Sequence, residues 1–200
     1  MKKIIAIGGA VIKTGAGEEL KKRINKIEMV MFNGGALFHD FQLALENYTS
    51  VPISELIHST EKLEYTSKYF WEYLKGNKPA PVGSFARLCE DNNISVLLFT
   101  ALGCDYWQMF DDNWEVIAKR CKQDFEKLKK RFREKTFHYI NMGSAVIHPE
   151  VFLKAITGIN HKFRADVVDF LDMYRPRTRV AVYGRYYKMD FKKYLKEEFD

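Results

Sequence analysis

No run of about eighteen consecutive apolar residues occurs in this chain of 200 residues, so no segment reads as a membrane-spanning helix. The opening Met1-Lys2-Lys3 followed by Ile4-Ile5-Ala6-Ile7 imitates a signal peptide for a few residues. Gly8-Gly9 and Lys13 then interrupt it without a small-residue cleavage site, so it is read as a first strand. Cysteine is scarce. Cys89, Cys104 and Cys121 are odd in number and lack the short spacings of metal ligands, so reduced thiols in a cytoplasmic protein are expected, and no metal site. There is no internal repeat, low-complexity tract or linker, and the chain is read as a single domain over residues 1–200.

Several signatures are also missing. Gly8-Gly9-Ala10-Val11-Ile12-Lys13-Thr14-Gly15 has the composition of a phosphate loop, yet Lys13-Thr14 precedes the glycine that should come before it. The GxGxxG order is absent as well. Two readings stay open for this stretch: backbone donors cradling an anion, or a plain tight turn. Without a Gly-x-Ser-x-Gly elbow, Ser144 is not read as a hydrolase nucleophile.

What is present excludes disorder: 46% of residues are hydrophobic and 14% aromatic. The net charge of +6 invites a nucleic-acid reading, but it is concentrated, with nine Lys or Arg between Lys119 and Lys135. Trp114, Ile117, Cys121, Phe125, Leu128 and Phe132 recur there at spacings of 3, 4, 4, 3 and 4, which is one helix face. The basic residues are therefore expected on the outer, solvated face of an amphipathic helix. No nucleic-acid motif accompanies them, and a nucleic-acid partner is not expected.

Three short apolar segments, residues 29–32, 96–100 and 137–140, each run into a glycine-bearing polar loop. The loops are Asn33-Gly34-Gly35 with His39-Asp40 beyond, Gly103-Cys104-Asp105, and Asn141-Met142-Gly143-Ser144. Further strands are expected at Lys3–Ile7, 165–168 and 178–183. Helices are expected over 18–25, 37–46, 54–75, 83–92, the basic stretch, 150–156 and 191–199. This alternation predicts an α/β fold, a three-layer Rossmann-like, largely parallel sheet with helices on both faces. Its carboxyl edge, where open α/β sheets bind ligands, would collect the three loops.

Candidate site residues follow from that placement. Gly8, Gly9, Asn33, Gly34, Gly35, Gly103, Gly143 and Ser144 would bring backbone donors to the anionic part of a cofactor. Asp105 would accept from a ribose hydroxyl or serve as an N-cap. Asn141, His148 and Glu150 would touch substrate or cap a helix. His39 and Asp40 are the acid/base candidates; as helix neighbours they diverge by about 100° and cannot form a dyad with each other, so one would face the pocket while the other caps or packs.

In order, these loops resemble the deoxyhypusine synthase-like family, and more closely its shorter prokaryotic relatives. The residues that carry the resemblance are Ala6-Ile7-Gly8-Gly9-Ala10-Val11-Ile12-Lys13-Thr14-Gly15, Asn33-Gly34-Gly35-Ala36-Leu37-Phe38-His39-Asp40-Phe41, Ala101-Leu102-Gly103-Cys104-Asp105, Tyr174-Arg175-Pro176 and, most specifically, the run from Gly143-Ser144 through His148-Pro149-Glu150 to Ala155. The resemblance, over residues 4–183, implies a fold that holds NAD, a small amine or sugar substrate, and a homodimer or homotetramer. True synthases transfer an aminobutyl group through an imine on a lysine. The corresponding stretch here, Asp169-Phe170-Leu171-Asp172-Met173-Tyr174-Arg175-Pro176, has no lysine. Two functional readings result: an NAD- or nucleotide-binding transferase-like or NAD-dependent enzyme lacking that covalent carrier, or a non-catalytic binding or scaffold protein that retains the fold.

Overall fold

The computed structural model describes residues 3–49, 60–98, 110, 113–134, 136–143, 164–169, 184–188 and 191–200. Six parallel strands form one sheet: β1 (Lys3–Ile7), β2 (Ile27–Phe32), β3 (Ser95–Leu98), β4 (His138–Met142), β5 (Arg164–Asp169) and β6 (Gly184–Lys188). Their order across the sheet is β3-β2-β1-β4-β5-β6, so the winding direction reverses between β1 and β4. This is the doubly wound order, whose crevice opens at the reversal, beyond the carboxyl ends of the strands.

The strands read as near-continuous apolar runs because both faces are covered. On one face Ile5, Ile7, Val30, Phe32, Val96, Leu98, Ile140, Met142 and Val168 are buried beneath helices. These are α1 (Gly9–Lys13), α2 (Ala16–Lys21), α3 (Gly34–Glu46), α4 (Glu61–Lys75), α5 (Phe85–Asp91) and α7 (Phe191–Phe199). On the other face Ile4, Ala6, Met29, Met31, Leu97, Tyr139, Ala165 and Val167 meet Leu128 and Phe132 of α6 (Trp114–Glu134). Phe41 fastens α3 to α4 with edge-on contacts to Tyr69, Phe70 and Tyr73.

The basic stretch is helical, as its spacing predicts, but its charges are not all outward. Arg120 donates from Nε to Asp124 (2.7 Å) and from Nη2 to the Val96 carbonyl (3.2 Å), while Asp124 accepts from the Leu98 N–H (2.9 Å). Together they satisfy edge groups of β3 that would otherwise be open to another strand. Arg131 pairs with Glu28, and Trp114, expected on the buried face, is 46% exposed.

Several boundaries differ from the sequence reading. Residues 9–13 form α1 rather than a loop, because Gly8 is an extended N-cap and the Ala10-Val11-Ile12 run is buried. α3 begins at Gly34, three residues before the expected 37, since the Asn33 side chain caps it by accepting from the Ala36 N–H at 2.6 Å. His39 and Asp40 therefore lie in its second turn. β4 runs on to Met142, so Asn141 belongs to the strand and not to the loop after it. The sixth described strand is residues 184–188; the expected strand over 178–183 and the helix over 150–156 lie outside the described residues.

Candidate functional site

The carboxyl edge of β1, β2 and β4 brings together much of what the sequence nominates. Ile7 is in register with Phe32 on one side and Met142 on the other, so Gly8, Asn33 and Gly143 follow three adjacent strand ends. Gly8 donates its N–H to the Met142 carbonyl (2.9 Å), and Gly143 donates to the Val168 carbonyl (2.9 Å). Those two N–H groups extend the sheet's ladder. They are therefore committed to the frame of the crevice and are not its anion donors. Gly34 and Gly35 occupy the first turn of α3, whose N–H groups have no acceptor within the helix. Gly103, Asp105, Ser144, His148 and Glu150 lie outside the described residues.

Close approach fixes two of these glycines. Gly143 has φ +98°, and a Cβ there would stand 3.2 Å from Val11 Cγ2 and 3.5 Å from the Gly8 N and O. A Cβ on Gly9 would stand 3.2 Å from Cδ2 of His39. The first βα turn is thus clamped between β4's exit and α3.

His39 and Asp40 do point apart, and each is engaged. His39 is buried, with Nδ1 3.1 Å from Gln42 Oε1; burial, reinforced by the Lys13 charge, pulls its pKa down to about 4. The imidazole is neutral at physiological pH. Asp40 accepts from the N–H groups of Phe85 (2.8 Å) and Ala86 (2.9 Å), so it caps α5 from across the fold, alongside the local cap Ser84. Burial outweighs those two donors and pushes its carboxyl up to about 6. Each of its two oxygens accepts from a backbone N–H at that helix start.

Asn141 is different in kind. It is fully buried in β4, and neither its Oδ1 nor its Nδ2 has a hydrogen-bond partner among the described residues. Its in-register neighbours are Ala6 of β1 and Val167 of β5, directly at the strand-order reversal. An unpaired buried amide costs about 1–3 kcal/mol per group, so its presence demands an explanation. A site for a nucleotide cofactor is consistent with this orphaned amide and with the glycine cradle of Gly8 and Gly143.

At the opposite, amino edge lies a cluster that sequence reasoning missed. Asp166 Oδ2 receives Tyr194 Oη (2.8 Å) and Arg164 Nη2 (3.1 Å) and lies 2.8 Å from His138 Nε2. Arg164 Nη2 also reaches Glu198 Oε1 (2.7 Å). Donor atoms of His138, Asp166 and Glu198 lie within 4.8 Å of one another, close enough to share a cation, and the Arg164 guanidinium already bridges the two carboxylates. The signal was available: Asp166 breaks an apolar strand on its buried face, and Tyr194 and Glu198 stand one helical turn apart.

No protein-family model and no curated protein matches the sequence. Solved structures do. The chain is similar to AgrE in its ternary complex with ornithine and NAD+ (16% identity, TM-score 0.65, covering 98% of this chain and 29% of that one). It is also similar to a conserved LOR/SDH-type protein from Methanococcus maripaludis S2 (17%, 0.61, 99% and 60%) and to a candidate deoxyhypusine synthase from Entamoeba histolytica (11%, 0.62, 99% and 75%). The likeness is one of fold. The chain spans under a third of AgrE's length. It shares with these proteins a Rossmann-like parallel α/β sheet. Among the described residues, no helix is long and apolar enough to cross a membrane.

Proposed function

We propose that this chain binds NAD or a related nucleotide across the carboxyl edge at the β1–β4 reversal. The observation that carries the reading is Asn141: a buried amide without partners among the described residues, in a strand beside the order reversal where doubly wound sheets hold their ligands. Gly143 lets the exit of β4 pack against Val11 and the Gly8 backbone, and the first-turn N–H groups of Gly34 and Gly35 favour an anionic group near β2's exit. When bound, NAD supplies a hydride acceptor; the chain's own residues bind and orient it. The resemblance and the ornithine-bound neighbour support a small amine as co-substrate, with a sugar as the other candidate. A cytoplasmic homodimer or homotetramer completes the proposal.

A second reading, a binding protein without turnover, is favoured by one specific pair of observations. His39 is held through Nδ1 by Gln42 and Asp40 by the start of α5, so both acid/base candidates are engaged within the fold. The absence of lysine from residues 169–176 removes the synthase's covalent carrier as well.

Calorimetry with NAD, ADP-ribose, ornithine and spermidine tests both readings. Heat with NAD or ADP-ribose is the expected result. No heat with either would overturn nucleotide binding. NAD reduction on adding an amine selects the enzyme, whereas nucleotide binding without turnover selects the binding protein.

A further inference from the structure

The Asn141 side chain, we infer, reads a neutral ligand edge that carries a hydrogen-bond donor beside an acceptor. This rests on the nucleotide reading above and deepens it. The amide offers Oδ1 as acceptor and Nδ2 as donor, and both lack partners among the described residues although Asn141 is completely buried. The in-register neighbours Ala6 and Val167 offer it no polar side chain. The amide is also the wrong chemistry for phosphate: it carries no charge, and the N-termini of α1 and α3 lie on the sheet's other face. Asn141 shares its face with Ala6, Met31 and Val167, the α6 side, whereas α1 and α3 cover the opposite side. Recognition is therefore divided, with the anionic part on one side of the crevice and a planar, uncharged part on the other.

Two groups in a dinucleotide present adjacent donor and acceptor atoms: the nicotinamide carboxamide, and the amino group and ring nitrogen of adenine. Asparagine pairs with the latter in the same two-bond manner when proteins read adenine in DNA. Position along β4 places the amide two residues before Gly143 and one rung before the last ladder pair, Ile7 with Met142.

The test compares wild type with Asn141→Leu, a near-isosteric change that removes the unpaired atoms. Without ligand, the variant is expected to melt roughly 2–4 °C or more above wild type, because a desolvated amide is replaced by an apolar group on an apolar face. With ligand, it is expected to bind NAD about tenfold or more weakly. Loss that extends to nicotinamide mononucleotide but spares ADP-ribose assigns the carboxamide; the reverse pattern assigns adenine; either supports the inference. Unchanged affinity for all three, or a melting temperature that does not rise, overturns it. Wild-type protein that binds none of the three overturns the nucleotide reading itself, and the inference with it.

Discussion

Gly143 and Gly8 meet across the strand-order reversal so closely that a Cβ on Gly143 would stand 3.5 Å from the backbone N and O of Gly8. The ladder continues past the paired strand ends through Gly8 N–H to Met142 O. The crevice is built by backbone packed against backbone.

Gly143→Ala is expected to destabilise the fold by about 1–3 kcal/mol, since φ +98° strains any L side chain and the methyl meets Val11 at 3.2 Å. Gly15, with φ +74° and nothing within 4 Å, supplies the control for backbone strain alone. Urea denaturation of both variants checks this; equal losses would mean the contact with Val11 and Gly8 relaxes freely.

Asp40→Ala leaves two buried N–H groups at the start of α5 without their acceptor, and a loss of roughly 2–4 kcal/mol is expected. Asp40→Asn keeps one acceptor and should recover about half of that. Amide exchange at Phe85 and Ala86 should quicken in the alanine variant, and unchanged protection at both would count against the cap.

The adjacent buried pair should also oppose each other in acid. His39 has its pKa lowered from 6.5 to about 4, so its contribution is present above 6.5 and is lost as pH falls through 4. Asp40 has its pKa raised from 3.8 to about 6, so its contribution is present below 3.8 and is lost as pH rises through 6. Between about pH 4 and 6 the two slopes act in opposite directions. Relative to wild type, His39→Gln should make stability fall more steeply as pH rises across that window. Asp40→Asn should make it rise more steeply. Thermal melts across pH 4–7 read the sign directly, and variants that both tilt the same way would refute the assignment.

At the amino edge, Asp166→Ala strands Arg164 and Tyr194 beside His138 and should cost about 3–5 kcal/mol. Tyr194→Phe removes one hydrogen bond to a charged group, worth about 1.5–3 kcal/mol. Because Asp166 is fully buried, neither loss should shrink much in high salt, unlike that of an exposed pair. Denaturation in low and high salt distinguishes the two cases.

Much of this was legible in the residues themselves. Short apolar runs followed by glycine turns and amphipathic helices specify parallel strands covered on both faces, and a spacing of three and four specifies α6. The turn after β1 was misread because burial of Ala10, Val11 and Ile12, not their propensity, makes residues 9–13 helical. Asp40 read as chemistry, since nothing in the chain announces that a helix start 45 positions later will sit against its carboxylate. The amino-edge cluster went unnoticed for a similar reason: its members come from two strands and the C-terminal helix.

The order of residues alone settled which segments pair a buried face with a glycine exit, because periodicity and backbone freedom are local properties. Which side chains find partners was left to the assembled sheet. Hydrogen bonds between distant segments depend on strand order and register, and those decide that Asp40 meets two N–H groups of α5 while Asn141 meets no partner among the described residues.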